Sequence, residues 1–279
     1  MTVDVEDYFH VAALAGSIDR ATWDEREYRA EQSTRRLLDL FERSNLHATF
    51  FVLGWVARRS PDLIREIARR GHEVASHGMS HKLVFNQTPE EFRSETVESK
   101  ALLEDIIGAP VLGYRASTYS ITRRSLWALD ILKEAGFAYD SSIFPIRHDT
   151  YGIPDAPQIP SRIPTPKGES IVEFPMSTAP MFGTRIPVSG GGYFRILPYW
   201  LTRRGLTKLN QELGRPFIFY LHPWEVDPEQ PRVRTNWKSR LRHYTNLDRC
   251  EARLARLIGE FRFGRVRDVL ARAALLPAA

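Results

Sequence analysis

The chain has 279 residues and a mass of 32.1 kDa, is 43% hydrophobic and 26% charged, and carries a net charge of +5 with a pI near 9.4. That length buries a core without disulfide support, and the single cysteine, Cys250, excludes an internal disulfide. No run approaches the roughly 20 apolar residues of a membrane span, and the opening Met-Thr-Val-Asp-Val-Glu-Asp is acidic where a secretory signal is basic and then apolar, so the expected location is cytosolic.

Val3 begins a short strand that ends among the acids Asp4, Glu6 and Asp7. Ser33 has the character of an N-cap for a helix that turns Leu37, Leu38, Leu40 and Phe41 inward. A strand over 48–53 follows. Ser60-Pro61 starts the next helix, with Ile64, Ile67 and Ala68 inward, and Gly71 ends it. After a strand over 72–76, Thr88-Pro89-Glu90-Glu91 repeats the start signal for a helix running through Phe92, Leu103 and Ile107 to Gly108. A strand over 111–114 comes next. Thr122 then caps a helix through Leu126, Leu129 and Leu132 to Gly136, and a strand covers 137–139. Strands alternating this regularly with helices predict a parallel sheet covered by helices, the α/β class.

From Pro145 to Pro187 the texture changes: nine of the 18 prolines fall here, broken by one strand-like run over 171–174. Aromatic and aliphatic residues persist, which predicts long ordered loops and not a flexible linker. The turn Ser189-Gly190-Gly191-Gly192-Tyr193-Phe194 lacks the Lys-Ser/Thr pair of a phosphate loop. An apolar strand over 217–221, a polar loop, a helix over 247–261 and a last helix over about 265–275 complete the chain. Eight Lys and Arg between Arg232 and Arg256 face only Asp248 and Glu251. With no nucleic-acid motif beside them, a solvated helix face is expected and no nucleic-acid partner; polyanion binding, sensitive to salt, is the alternative.

The polar residues fall in register. Asp4, Glu6 and Asp7 follow the first strand, His77 the strand over 72–76, Arg115 that over 111–114, Asp140 that over 137–139, and His222 that over 217–221. Strand C-termini are where α/β proteins assemble active sites. His77 and His81, four apart, suit two ligands of one ion, although Gly78 stands where the protease motif has glutamate. In a strand Asp4 and Glu6 point the same way, so one can bind metal while the other takes a proton from water. Hydrolysis of an amide needs such a base and an acid for the departing nitrogen. Asp4 is the candidate base and His222 the candidate acid. Arg115 is a candidate to keep Asp4 ionised, and Asp140 to orient His222 and raise its pKa; a structural ion pair is the equal alternative for each.

Thr2-Val3-Asp4, His77-x-x-x-His81, Gly113-Tyr114-Arg115, Tyr139-Asp140-Ser141-Ser142 and Leu221-His222-Pro223 together resemble the five ordered motifs of the NodB-type polysaccharide deacetylases, carbohydrate esterase family 4. The resemblance runs from the first strand through His222. The opening Asp4-Val5-Glu6-Asp7-Tyr8-Phe9, the Gly-Gly-Gly-Tyr-Phe-Arg turn at 190–195 and Leu221-His222-Pro223-Trp224-Glu225 are similar to the deacetylases of exopolysaccharide and exosortase gene clusters.

The resemblance implies an irregular (β/α) barrel with fewer strands than the full eight. It implies that Asp4 is the base, His77 and His81 metal ligands, Arg115 the partner of the base, Asp140 the partner of the acid His222, and Leu221 a lining of the acetyl-methyl pocket. The usual pair of adjacent aspartates is interrupted by Val5. Glu6 is then the expected third ligand, with Asp7 as its rival and His10 as an added donor. The domain expected is a catalytic unit over 1–225, including the Pro-rich loops over 145–187, followed by a helical extension over 226–279 packed on it.

The activity expected is removal of acetyl from an N-acetylated sugar, within a polysaccharide or its precursor, by one divalent ion, zinc by preference. Tyr119, Tyr193 and Trp224 are candidates to stack on sugar rings. Two other readings stand beside it: hydrolysis of a small cyclic amide or ureide on the same fold, and a catalytically silent carbohydrate-binding protein.

Overall fold

Period-two alternation gives each strand two faces, and here those faces have different tasks. In the computed structural model, which describes residues 1–277, the first half of the chain runs β1 (Thr2–Val5), α1 (Ala30–Arg43), β2 (Thr49–Val52), α2 (Gly54–Arg59), α3 (Pro61–Arg69), β3 (Glu73–Ser76), α4 (Pro89–Ile107), β4 (Gly113–Tyr114), α5 (Trp127–Glu134) and β5 (Tyr139–Asp140). Val3, Val5, Phe50, Val52 and Val74 point outward into the core shared with the helices. Phe51, Ala75 and Tyr139 point the other way, into a second buried cluster. Asp4 lies between Val3 and Val5 and so faces inward.

The second half runs β6 (Ser161–Pro164), β7 (Ser170–Glu173), β8 (Thr178–Met181), β9 (Thr184–Pro187), α6 (Gly191–Ile196), α7 (Tyr199–Thr207), β10 (Tyr220–Leu221), α8 (Trp237–Tyr244), α9 (Leu247–Glu260) and α10 (Val266–Arg272). The main sheet has the order β10-β1-β2-β3-β4-β5-β7-β6. Seven strands are parallel and the eighth, β6, joins antiparallel to β7. The fold is thus a mixed α/β, curled, parallel-rich half-barrel with a helical C-terminal region. Its order sets β10, from late in the chain, beside β1, with Val3 opposite Leu221.

Local signals account for several boundaries. Thr88 and Glu91 close a reciprocal capping box at the start of α4, and Gly108 ends the helix in the left-handed conformation. Helix α1 departs from expectation: it starts at Ala30, and Ser33 lies inside it. The cap comes from 23 residues away, where Asp7 Oδ2 accepts the backbone N–H of Arg29 (2.6 Å) and Ala30 (2.7 Å). The Pro-rich segment is more regular than predicted, holding the hairpins β6–β7 and β8–β9. The stretch read as a polar loop contains α8.

At Gly190 the backbone passes against β10. Its φ is +117°, and a Cβ there would lie 2.0 Å from the Tyr220 carbonyl oxygen. Gly190→Ala therefore combines a disfavoured backbone with a main-chain clash. It is expected to cost about 3 kcal/mol, seen as a lowered urea midpoint with an unchanged m-value.

Candidate active site

Three buried side chains converge at the C-terminal ends of β1 and β3. Ring nitrogens of His77 and His81 and a carboxylate oxygen of Glu6 all lie within 4.8 Å of one another. The His77 Nδ1 is 2.8 Å from the Arg115 carbonyl oxygen. A carbonyl only accepts, so Nδ1 carries the proton and Nε2 presents a lone pair. Burial pushes the His77 imidazole down to about 4, which keeps it neutral. Glu6 Oε2 is 2.6 Å from His81 Nε2, yet this buried oxygen has no hydrogen-bond partner. Burial favours the neutral Glu6 carboxyl, but the neighbouring His81 and His222 outweigh it and hold the group well below the usual carboxylate range. His81 itself has a positive φ of 57°, an uncommon conformation for a residue other than glycine that turns its ring back toward His77.

The orphaned Glu6 oxygen and the fixed His77 tautomer are what a bound cation requires. One carboxylate oxygen and two imidazole nitrogens are a donor set for a divalent ion with open positions.

Asp4 and His222 lie close together beside this cluster. Asp4 Oδ1 accepts from Arg115 Nη1 at 2.6 Å, leaving Oδ2 4.0 Å from His222 Nε2. Arg115 is wholly buried, and its other donors reach Thr2 Oγ1 (2.8 Å), the Ser141 carbonyl (3.1 Å) and Ser141 Oγ (3.0 Å). His222 Nε2 is 3.6 Å from Glu6 Oε1, and Nδ1 is 2.8 Å from Glu225 Oε1. Burial alone lowers the His222 pKa, but Glu6, Glu225 and Asp4 overcome it and raise the imidazole to about 9. Glu225 is in turn bound by Arg195 at 2.6 Å, both nearly inaccessible. That arginine donates also to the carbonyls of Arg242, His243 and Thr245. A cleft of about 800 Å³ lined by Phe9, His10, Arg20, Trp23, His81 and Lys82, among others, opens beside the cluster.

Residues 20–139 match the polysaccharide deacetylase family model. Residues 141–271 match a second model, described as a domain of unknown function, DUF3473. A peptidoglycan-N-acetylglucosamine deacetylase of Bacillus cereus is 30% identical over 79 residues, 28% of this chain and 37% of that protein. A chitooligosaccharide deacetylase of Bradyrhizobium is 29% identical over 99 residues, 36% of this chain and 43% of that protein. The chain therefore spans less than half the length of these relatives. A structure described as a polysaccharide deacetylase from Mycobacterium smegmatis superposes with a TM-score of 0.65 at 21% identity, covering 99% of this chain and 90% of that one. It shows the same fold. His77, His81 and Arg115 lie within the first of these matches, whereas His222, Glu225 and Arg195 lie within the DUF3473 match.

Several expected residues stand elsewhere. No hydrogen bond or ion pair joins Asp140 to His222 among the described residues. Asp140 Oδ1 accepts from Ser142 Oγ at 2.5 Å, and burial beside Glu173 raises both carboxyls, so this pair retains a proton. Glu225 takes the position expected of Asp140, because it follows His222 by three residues in one 3₁₀ turn. Leu221 lies in the outward, helix-facing core, while Tyr220 and His222 alternate to the inner side. Asp7 caps α1 and is not among the converging donors. His10 is also outside that set: its Nδ1 accepts the Asp7 N–H at 2.8 Å and its ring packs against Trp23 and Trp55.

Tyr119 is 6% exposed in a cluster with Phe144, Tyr151 and Tyr220. Trp224, 4% exposed, is stacked between His222 and His243, so it walls the imidazole instead of offering a face to sugar. Tyr193 is half-buried. Glu225 and Arg195 were missed as functional residues. Both sit in motifs that carried the resemblance, Leu-His-Pro-Trp-Glu and the Gly-Gly-Gly-Tyr-Phe-Arg turn, but an acid three residues after a strand-end histidine also reads as an ordinary helix cap.

His77→Ala removes one of the three donors and leaves the Arg115 carbonyl without its partner. The variant is expected to lose zinc affinity by at least about tenfold, which equilibrium dialysis with elemental analysis measures directly.

Proposed function

We propose that the protein is a metal-dependent hydrolase that removes acetyl from N-acetylated sugars of a polysaccharide or its precursor. The observation that carries this is the pairing of a carboxylate and an imidazole, Asp4 and His222, beside the Glu6–His77–His81 cluster. Glu6, His77 and His81 would hold the ion, zinc by preference. When bound, it supplies Lewis-acid polarisation of the acetyl carbonyl and makes water more acidic. Asp4 Oδ2 takes the proton of the attacking water, and Arg115 holds that carboxylate in place through Oδ1. His222, whose Nδ1 is hydrogen-bonded to the Glu225 carboxylate, gives a proton from Nε2 to the departing amine. Arg195 keeps Glu225 ionised, and stacking on Trp224 keeps the imidazole plane fixed. The cleft beside His81, about 800 Å³, has the volume to take sugar units. The DUF3473 match supports placing the protein with the deacetylases of exopolysaccharide and exosortase clusters.

The test is acetate release from peptidoglycan fragments, chitooligosaccharides and small ureides, with zinc-loaded and chelated protein in parallel. Metal-dependent acetate from the glycans is the expected result. Ring opening of ureides without acetate release would replace this reading with the cyclic-amide one. Turnover by chelated protein would overturn the mechanism.

A further inference from the structure

The basic stretch expected to be a solvated helix face does not have the surroundings of one. Arg232, Arg234, Lys238, Arg240 and Arg242 are all exposed, and no acid lies between Glu229 and Asp248. Elsewhere on the surface arginines are commonly paired, Arg36 with Glu251 and Arg256 with Glu260 among them. Among the described residues none of these five side chains makes an ion pair or a hydrogen bond. Their summed charge equals the net +5 of the whole chain. Within this field α8 turns two large apolar side chains outward, Trp237 at 71% exposure and Leu241 at 53%. They are four residues apart, hence one above the other on the same helix face.

The patch is held in shape. Asn236 Oδ1 accepts the Ser239 N–H at the start of α8, and Arg195 donates to the Arg242 and His243 carbonyls near its end. The Val233 N–H donates to Tyr244 Oη, and the Arg232 guanidinium lies over the Tyr244 ring, fixing the preceding loop against the helix. An ordered helix that exposes a tryptophan and a leucine amid unpaired cations meets the requirements of an anionic bilayer surface. Indole and leucine enter the boundary between headgroups and acyl chains, and arginine and lysine meet lipid phosphates. An anionic polymer would satisfy the cations but gives Leu241 nothing to bury against.

We infer that α8 and the loop before it form a docking surface for anionic phospholipid membranes. The inner side of the same helix carries His243, which stacks on Trp224 and through it on His222. Docking therefore brings the bilayer up to the helix that backs the candidate site. The inference does not depend on the deacetylase reading.

The test is co-sedimentation of the full chain with phosphatidylglycerol–phosphatidylcholine vesicles and with phosphatidylcholine vesicles, at low and high salt. Binding is expected to the anionic vesicles alone and to weaken with salt. The triple variant Arg234→Gln/Lys238→Gln/Arg240→Gln should weaken it about a hundredfold, at about fivefold per cation. Trp237→Ser/Leu241→Ser should weaken it by at least about tenfold, without altering retention on a soluble polyanion such as poly-aspartate. These positions are exposed, so unchanged circular dichroism and melting are expected and separate loss of binding from loss of fold. Failure of the native chain to bind anionic vesicles at low salt would overturn the inference. So would native-level vesicle binding by the Trp237/Leu241 variant, which would make the patch a general polyanion site.

Discussion

Asp4→Asn is expected to lower kcat by about a thousandfold, in the middle of the range for loss of a positioned base, with zinc content unchanged. Asparagine keeps the shape and one oxygen to accept from Arg115, so the sheet end should keep its geometry. It cannot take a proton from water. The substitution also leaves Arg115 as a buried cation without its counter-charge, so melting should fall as well, by the equivalent of about 3 kcal/mol. Those two losses are separable. Arg115→Met/Asp4→Asn removes the orphaned cation and should recover part of the stability while recovering none of the turnover. If Asp4→Asn kept more than a tenth of native kcat, Asp4 would be a structural partner of Arg115 and not the base.

The second large effect concerns the His222–Glu225–Arg195 chain. The folded pKa of His222, about 9, is raised above its ordinary 6.5. The stability this contributes is fully present below about pH 6.5 and is lost as pH rises through about 9. Metal-free protein should therefore weaken across that window in urea titrations. Glu225→Gln removes one source of the raised value, so the window should narrow toward neutrality, and the alkaline limb of kcat/KM for zinc-loaded enzyme should move down by about one pH unit. The variant also strands the Arg195 charge, which should lower stability at every pH. Equal pH profiles for native and Glu225→Gln protein would show that Glu225 does not govern His222.

Most of the alternation was legible because it rests on local signals: the Thr88 capping box, glycines after helices, and apolar runs of strand length. The convergence of His77, Asp4 and His222 was legible for a similar reason, since each stands in or just after the C-terminal end of a strand that the pattern marks, with His81 four residues beyond His77. What escaped depends on contacts distant in the chain. Ser33 reads as a cap only while Asp7 is out of sight, because nothing local shows that a carboxylate 23 residues earlier accepts the Arg29 and Ala30 N–H groups. Asp140 reads as the partner of His222 until the sheet order places Glu173 beside it; Glu225 is local to the imidazole, three residues on, but its place there also reads as an ordinary helix cap. Helix α8 escaped because its outward face is apolar and cationic together, leaving no solvent-facing polar stripe for periodicity to detect.

The half-barrel also fixes an order of arrival. During synthesis, Asp4, Glu6, His77 and His81 emerge about 140 residues before His222, an interval of roughly ten seconds at ordinary elongation rates. The strands that hold the donors, β1 and β3, are joined through β2, which lies between them in sequence and in space. On the proposed reading, the three donors stand together well before Arg195 and Glu225 exist to act on His222. Maturation would then have a direction: an ion would meet an inert half-site first, and the proton-transfer pair would be complete only when β10 closes along β1.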